Sequence, residues 1–489
     1  MTKIRFLSIA AAVAATTIAG CKQSDLNITN PGAATVKGAL GDPTAFQLLA
    51  TGLMSDYRGL RGGTQGTMGI LGRERYNFTP QEGRNTTNAL LGIVVGGVQK
   101  LDPTGFATGP WGGPYGMLRD IFNFKNTVNA STSLSTAGKA AALGFAQTLE
   151  AAAMMDVVAN KDTLGAITEI KEAAADLAPF VPRDSVYKFI LNTLDAGATN
   201  LAGGGAAFPF SLSGGYAGFN TPTTFAQFNR ALKARASAWY ATQGGGAAAW
   251  AQAISALSAS FLNAAATTRA ALDVGVYATY GVAPDSPNGL AVATNTDLYA
   301  HTSFTTDVQL KADGVTKDDR YTAKIRTGLP SRQGPVTNDG PTSGSSTTGF
   351  SIWPAQNSSV AVIRNEELIL LRAEARLGTG DKAGAIADLN QVRVNSGGLP
   401  ASTLTAASSD DAVLTGILYE KRYSLMMEGQ RWVDMKRYKK LSLLPLDVAS
   451  GPNKNFVALV IPIPQAECLI RAKGTGAILG PSGQNNCAP

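Results

Sequence analysis

His301 is the only imidazole in the chain, so a histidine-dependent nucleophile would have to use it as base. It stands in the run HTSF, with no nucleophile elbow beside it. Paired carboxylates are the usual equipment for glycoside cleavage. The obvious pairs are Glu366 with Glu367 on a helical stretch and Asp318 with Asp319 in a charged turn, and surface solvation is the expected explanation of both. No set of residues fills the roles of nucleophile, base and orienting group together, so no catalytic residue is assigned and the chain is expected not to be an enzyme. The two cysteines beyond Cys21 and one histidine do not build a metal site, and no cofactor is expected.

Binding chemistry has better candidates. A pyranose presents an apolar CH face and a ring of hydroxyls, which flat aromatic rings and Asn, Gln, Asp or Arg side chains match. Arg73, Arg75, Tyr76 and Asn77, followed by Phe78, combine both types just after a glycine-rich passage. Trp111 and Tyr115 open a later helix, where Trp111 serves either as a ligand platform or as core packing. Tyr299, Phe304 and Trp353 are second-rank candidates in a long irregular stretch, whereas Trp432, Arg431 and Asp434 read as framework. Aromatic residues are only 7% of the chain, modest for stacking, so the ligand stays open between an oligosaccharide and a peptide held through backbone hydrogen bonds.

Cys21 supplies chemistry of another kind. It follows a basic start (Lys3, Arg5), an apolar run from Phe6 to Ile18 and the small pair Ala19-Gly20, the parts of a cleavable export signal. The run is shorter than the roughly 20 apolar residues of a membrane-spanning helix. Residues 1–20 are expected to be removed and Cys21 to be lipidated, with 21–30 as a polar tether. Loss of Lys3 and Arg5 lowers the net charge from +7 to +5, and the remaining charges are interspersed, so nucleic acid is not an expected partner. Cys468 and Cys487 can pair outside the cytoplasm, closing a loop worth on the order of 3 kcal/mol in the chain-entropy account.

The elements that position these residues are mainly helical. Apolar residues recur at helical spacing over Pro43–Leu60, Trp111–Asn129, Lys139–Val158, Ser185–Asn200, Thr223–Thr242, Ala247–Leu262, Ile363–Gly378, Lys382–Asn395 and Asp410–Gly429. The passage RGGTQGTMGILGRERYNF between the first two is expected to be a loop. From Asp273 to Pro354 prolines interrupt any helix, which predicts an irregular binding or docking surface. Paired helices suggest an α-solenoid, although no strict repeat is present. Glu374 is expected to meet Arg393 across the hairpin of the seventh and eighth helices.

Over about 100 residues the C-terminal part resembles the SusD/RagB family. The resemblance rests on the AEA of Ala373 to Ala375, the LN-x-VR of Leu389 to Arg393, the E-x-R of Glu420 to Arg422, the EG-x-RW-x-D of Glu428 to Asp434 and Ile461-Pro462-Ile463-Pro464, all in order. PWGGPYGMLRDIFNFKNTV and FNRALKARASAWYA resemble earlier helices of that family, while Val394-Asn395 and Ser424 depart from its pattern. The resemblance implies tetratricopeptide-like helix pairs, at about 31–272 and 355–445, supporting an irregular portion at about 273–354 within a single domain, 31–489. It also implies a nutrient-binding lipoprotein of the outer membrane, facing the exterior, with ligand contacts in the N-terminal neighbourhood. Such a protein delivers oligosaccharides or peptides to a SusC-like TonB-dependent barrel transporter and acts as its lid. The competing expectation is a tetratricopeptide-like scaffold lipoprotein that binds only protein partners.

Overall fold

The first helix, α1 (Pro43–Leu71), takes in Arg61 to Leu71 of the glycine-rich passage that the sequence predicts to be a loop. A glycine inside a helix costs about 1 kcal/mol relative to alanine. What offsets that cost is a stripe at helical spacing: Phe46, Ala50, Leu53, Tyr57, Leu60, Met68 and Leu71 are all buried in the main core. The structure, a computed structural model, describes residues 43–95, 97–104, 109–173, 176–282 and 285–475. The leader, Cys21, the tether and Cys487 lie outside the described residues, and Cys468 is buried near the start of a helix spanning Gln465–Thr475.

After a short helix at Arg84–Leu90, five longer ones follow: α2 (Gly112–Ala130), α3 (Thr136–Lys161), α4 (Arg183–Ala202), α5 (Pro222–Tyr240) and α6 (Gly246–Ser258). Each packs on the next, as a helical solenoid requires. Their starts carry the expected caps. Ser135 accepts from the Gly138 N–H, and Thr221 with Thr224 forms a reciprocal capping box. By length and composition α3 could cross a membrane, but its side chains are buried among the neighbouring helices, so it is a core helix.

The second group comprises α7 (Asn365–Gly378), α8 (Lys382–Gly397), α9 (Asp410–Ser424) and α10 (Arg431–Arg437). The α7–α8 hairpin turns at Gly380, whose φ of 88° suits glycine, and Asp381 caps α8 by accepting from the Gly384 N–H. The chain leaves helical geometry after Ser424, reaching φ values of 62° at Met427 and 77° at Gly429. A helix as far as Gly429 was the expectation.

Three carboxylates of α7 are completely buried, which corrects the expectation that Glu366 and Glu367 are solvated. Glu367 forms a two-point pair with Arg235 of α5, at 2.6 and 2.7 Å. Glu366 meets Arg364, Arg269 and the Ser424 hydroxyl. Glu374 receives Lys421 of α9 at 2.7 Å, the Tyr438 hydroxyl at 2.6 Å and Arg437 of α10. The expected Glu374–Arg393 contact is therefore not made, and Arg393 pairs with Glu420 at 3.0 Å instead. Asp318 is also buried, held by Arg320 at 2.6 Å.

The excursion from Asp273 to Pro354 is better ordered than its prolines suggest. Its two ends are tied by an antiparallel ladder between β2 (Gly275–Ala278) and β6 (Val360–Arg364). Within it, β3 (Leu298–Ala300), β4 (Ile325–Arg326) and β5 (Gly349–Phe350) join β1 (Arg75–Asn77) in a sheet of order β1-β3-β5-β4. Every pair is antiparallel, with Arg75 opposite Ala300 and Asn77 opposite Leu298. The strands of this sheet are two or three residues long, too short for alternation to be visible as a sequence period.

Burial alone would raise the Glu374 carboxyl, but the Arg437 and Lys421 charges more than reverse this and hold it at about 2. A carboxylate whose folded pKa is depressed contributes stability that is present above its unfolded value and lost as pH falls through the folded value. Glu374→Gln, which leaves Lys421 and Arg437 sharing the single carboxylate of Asp434, should cost about 3–5 kcal/mol at neutral pH. The loss should shrink between about pH 4.5 and pH 2. Urea unfolding across that range measures both; a pH-independent loss would contradict the assignment.

Candidate ligand-binding groove

Helical glycines can serve close packing, a positive φ or empty space, and this chain uses them differently at different places. A Cβ at Gly69 would meet the Met427 sulfur at 3.0 Å, and one at Gly113 would meet Leu60 at 2.9 Å. Those are packing glycines. At Gly59, Gly63, Gly112 and Gly116 an added Cβ would meet nothing within 4 Å, and none of the four has a positive φ. Neither packing nor backbone geometry requires them, and alanine would favour the helix at each interior position. What they supply is room.

That room is a groove beside α1. One half, of about 560 Å³, lies between α1 and the start of α2, walled by Gly59, Gly63, Gly109, Pro110, Gly112, Gly113 and Gly116 with Leu60 and Met117 at its floor. The other half, also about 560 Å³, lies between α1 and the segment 280–295, and includes Arg58, Gly62, Gly66, Arg75, Asn77, Tyr280 and Asn295. Ser55, Gly59, Gly63 and Thr67 line both, so the two halves meet along one face of α1. Each half is of the size that takes a small ligand.

Charge is divided between the halves. Among the described residues, the first carries Asp56 and Asp120 and no cation in its lining. Burial raises both carboxyls; the nearby Asp120 charge adds to the rise at Asp56, and the Arg119 charge opposes it at Asp120. The second carries Arg58 and Arg75 and, among the described residues, no carboxylate in its lining. Arg58 is engaged, pairing with Asp285 at 3.0 Å and lying over the Tyr280 ring. Arg75 is 8% exposed, donates from Nε to the Gly66 carbonyl at 2.8 Å, and has no ion pair among the described residues. Burial pushes its guanidinium down to about 10, still charged at neutral pH.

Strand alternation sorts the N-terminal candidates. Arg75 and Asn77 share the face of β1 that meets the groove. Thr79 occupies the Asn77 Oδ1 at 2.7 Å, which leaves the amide nitrogen as donor. Tyr76 turns the other way, stacking between Phe78 and His301 with its hydroxyl donated to Asp447 at 2.8 Å. Tyr299 closes that cluster and donates to the Pro330 carbonyl. Arg73 is buried and ties three carbonyls, those of Ile70, Pro445 and Phe456. Phe304 packs on Phe350 and Tyr423, and Trp353 is buried as well.

Trp111 occupies an intermediate place. Its flanking residues Gly109, Pro110, Gly112 and Gly113 line the groove, but its ring is 7% exposed and packs against Tyr115, Phe180 and the Lys161 ammonium. Tyr115 is fixed through its hydroxyl, which donates to the Ile167 carbonyl and accepts from the Ile167 N–H. Trp111 thus anchors the wall rather than forming it. Sequence reasoning missed Asp56, Asp120, Tyr280 and the open glycines. The available signal was glycine at i, i+4 spacing in two neighbouring helices, Gly59 with Gly63 and Gly112 with Gly116.

His301 lies in a string with the composition of a catalytic triad: Nδ1 is 2.8 Å from the Ser303 hydroxyl and Nε2 is 3.2 Å from Asp447. All three groups are buried and none lines the groove. Burial lowers the His301 pKa, and Arg422 donates to Ser303 Oγ at 2.7 Å, which opposes its activation as a nucleophile. The string braces the Tyr76 cluster.

Trp111→Ala should therefore destabilise the fold by about 3–5 kcal/mol, the range for emptying an aromatic core site. Chemical denaturation tests this, and an unchanged midpoint would return Trp111 to the ligand-facing set.

The sequence model of the SusD family matches residues 292–467. Among solved structures, Bacteroides fragilis NanU shares 16% identity, covering 94% of this chain and 100% of its own, with a TM-score of 0.62. A SusD-like carbohydrate-binding protein from Bacteroides fragilis NCTC 9343 shares 14% identity, with 88% and 99% covered and a TM-score of 0.62. A third structure, described as being with xylogluco-oligosaccharide, shares 16% identity over 82% of this chain and 85% of its own, at a TM-score of 0.57. At these identities the likeness is one of fold. No curated protein matches the chain.

Proposed function

We propose that this chain, whose residues 292–467 match the sequence model of the SusD family, is a nutrient-binding lipoprotein of the outer membrane, facing the exterior, which captures an oligosaccharide or peptide in the groove beside α1. Members of this family are binding proteins and outer-membrane-associated lipoproteins in general. One of the similar structures is described as carbohydrate-binding and another as being with xylogluco-oligosaccharide, which supports an oligomeric nutrient as ligand. The bound oligomer passes to a SusC-like TonB-dependent barrel, over which this protein acts as a lid, with lipidated Cys21 as anchor.

The observation that carries the reading is the set of open helical glycines. Four positions forgo helix stability without any packing or conformational need, and together they border a groove of ligand size. The groove draws on α1 and α2 as much as on the irregular segment, so ligand and framework share the same helices.

Filling the space tests the reading directly. Gly63→Phe places a ring in the groove with no neighbour for its Cβ to strike, and should abolish oligomer binding on a mixed glycan and peptide array while leaving the melting temperature equal or higher. Retained binding at full stability would remove the groove from consideration. Cys21→Ser should release the protein from the membrane fraction without changing binding by the purified chain, and a protein that stays with the outer membrane would disprove the lipid anchor.

A further inference from the structure

The division of charge along the groove selects among oligomers. We infer that the ligand is a short peptide bound across the shared face of α1, its carboxylate received by Arg75 and its cationic nitrogen by Asp56 and Asp120. This rests on the groove being the ligand site.

Arg75 carries the first half of the argument. A guanidinium withdrawn from water is normally matched by a carboxylate or held by several carbonyls. Arg73, two residues away, shows the second solution, with three carbonyl acceptors. Arg75 has one, the Gly66 carbonyl, and that engages Nε alone. Both terminal nitrogens are without a hydrogen-bond or ion-pair partner among the described residues, in a half of the groove that holds no acid. A planar fork of N–H donors in such a place matches a carboxylate at two points. The glycines hold the fork there: a Cβ at Gly66 would stand 3.2 Å from the Arg75 Nη2, and one at Gly69 would stand 3.2 Å from its Cγ. The side chain can lie flat along α1 only because both positions are bare.

Asp56 and Asp120 carry the second half. They come from two different helices, α1 and α2, face the same cavity, and have no ion pair among the described residues. Two carboxylates brought to one cavity repel unless a cation or shared proton intervenes. A neutral glycan would relieve neither them nor Arg75. An acidic glycan would satisfy Arg75 and leave the carboxylates opposed. A peptide with free termini satisfies both, and its backbone amides find polar partners in Ser55, Thr67, Asn77 and Asn295. Among the described residues Tyr280 is the only aromatic residue lining either half, so they offer little stacking.

The test uses the mature chain with Cys21→Ser, titrated calorimetrically with tetra-alanine and with a mixed tetrapeptide pool, each with free termini, N-acetylated or C-amidated, and with a neutral and a uronate tetrasaccharide. Free peptide should bind, and each cap should weaken it by at least about tenfold, the scale of a lost charge-assisted contact. Arg75→Gln should make binding indifferent to amidation, and Asp56→Asn with Asp120→Asn indifferent to acetylation, the signature of a pairwise contact in a double-mutant cycle. The caps report on wild-type protein, so the result survives if a variant folds poorly. Equal binding of capped and free peptides, or no peptide binding at all, overturns the inference. Binding of a tetrasaccharide that Gly63→Phe abolishes would also overturn it, while leaving the groove as the ligand site; binding that Gly63→Phe leaves intact would overturn both.

Discussion

Helix α7 holds the molecule together through three carboxylates that have no water. Glu367 reaches back to Arg235 of α5, Glu366 to Arg364, Arg269 and Ser424, and Glu374 forward to Lys421 and Arg437. The solenoid, the base of the irregular excursion and the C-terminal helices thus converge on about two and a half turns of one helix. Each of these acids is stranded if its own partners move. A buried ion costs several kcal/mol of desolvation that only a well-made pair recovers, so the arrangement is a demanding way to gain stability and an effective way to fix relative position. An apolar contact tolerates sliding. A fork of Arg235 on Glu367 at 2.6 and 2.7 Å does not.

From that hub the constraint passes to the groove. Lys421 also binds Asp434 at 2.8 Å, joining α9 to α10. The reversal between them exposes the Met427 N–H, which Glu74 accepts at 3.0 Å, and Arg431 donates to the Gly72 carbonyl at 3.2 Å. Gly72 lies so close to the start of α10 that a Cβ there would stand 3.1 Å from the Trp432 nitrogen. The end of α1 and the four residues after it are therefore gripped by the C-terminal third of the chain. Arg75 is the last of those four. Its position in the groove is set by contacts made more than 350 residues away in sequence.

The sequence made the helices legible and the polar contacts between them illegible. Nine helices stand close to where apolar spacing puts them, because burying a stripe is a local demand that leaves a local period. Glu366, Glu367 and Asp318 read as solvated since charge is exposed on average, and their cationic partners lie as far as 132 residues away. Spacing cannot reveal such pairings. In the same way Arg75 and Asn77 were legible as polar residues near aromatics, but whether Tyr76 or its neighbours would face the groove depended on a strand of three residues. Most of the C-terminal motifs hold residues of the ion pairs around Glu374, Glu420 and Asp434.

The glycine-rich passage gave the most consequential misreading, and the reason lies in what glycine does to evidence. A run with Gly62, Gly63, Gly66, Gly69 and Gly72 lowers helix propensity enough to predict a loop. Propensity, however, measures the backbone alone, and α1 is held by its buried stripe. Once tertiary packing supplies the helix, the same residues change meaning: at Gly69 and Gly72 they admit neighbours, and at Gly63, as at Gly59 a turn earlier, the bare position admits solvent or ligand. A loop could also make a cavity, but its walls would move, and a binding site held to a fraction of an ångström is better built on a packed element. A helix stripped of side chains on one face offers both things at once, rigidity from the buried face and volume from the bare one. The groove is therefore a product of the framework, and the residues that weaken the helix locally are the ones that shape it.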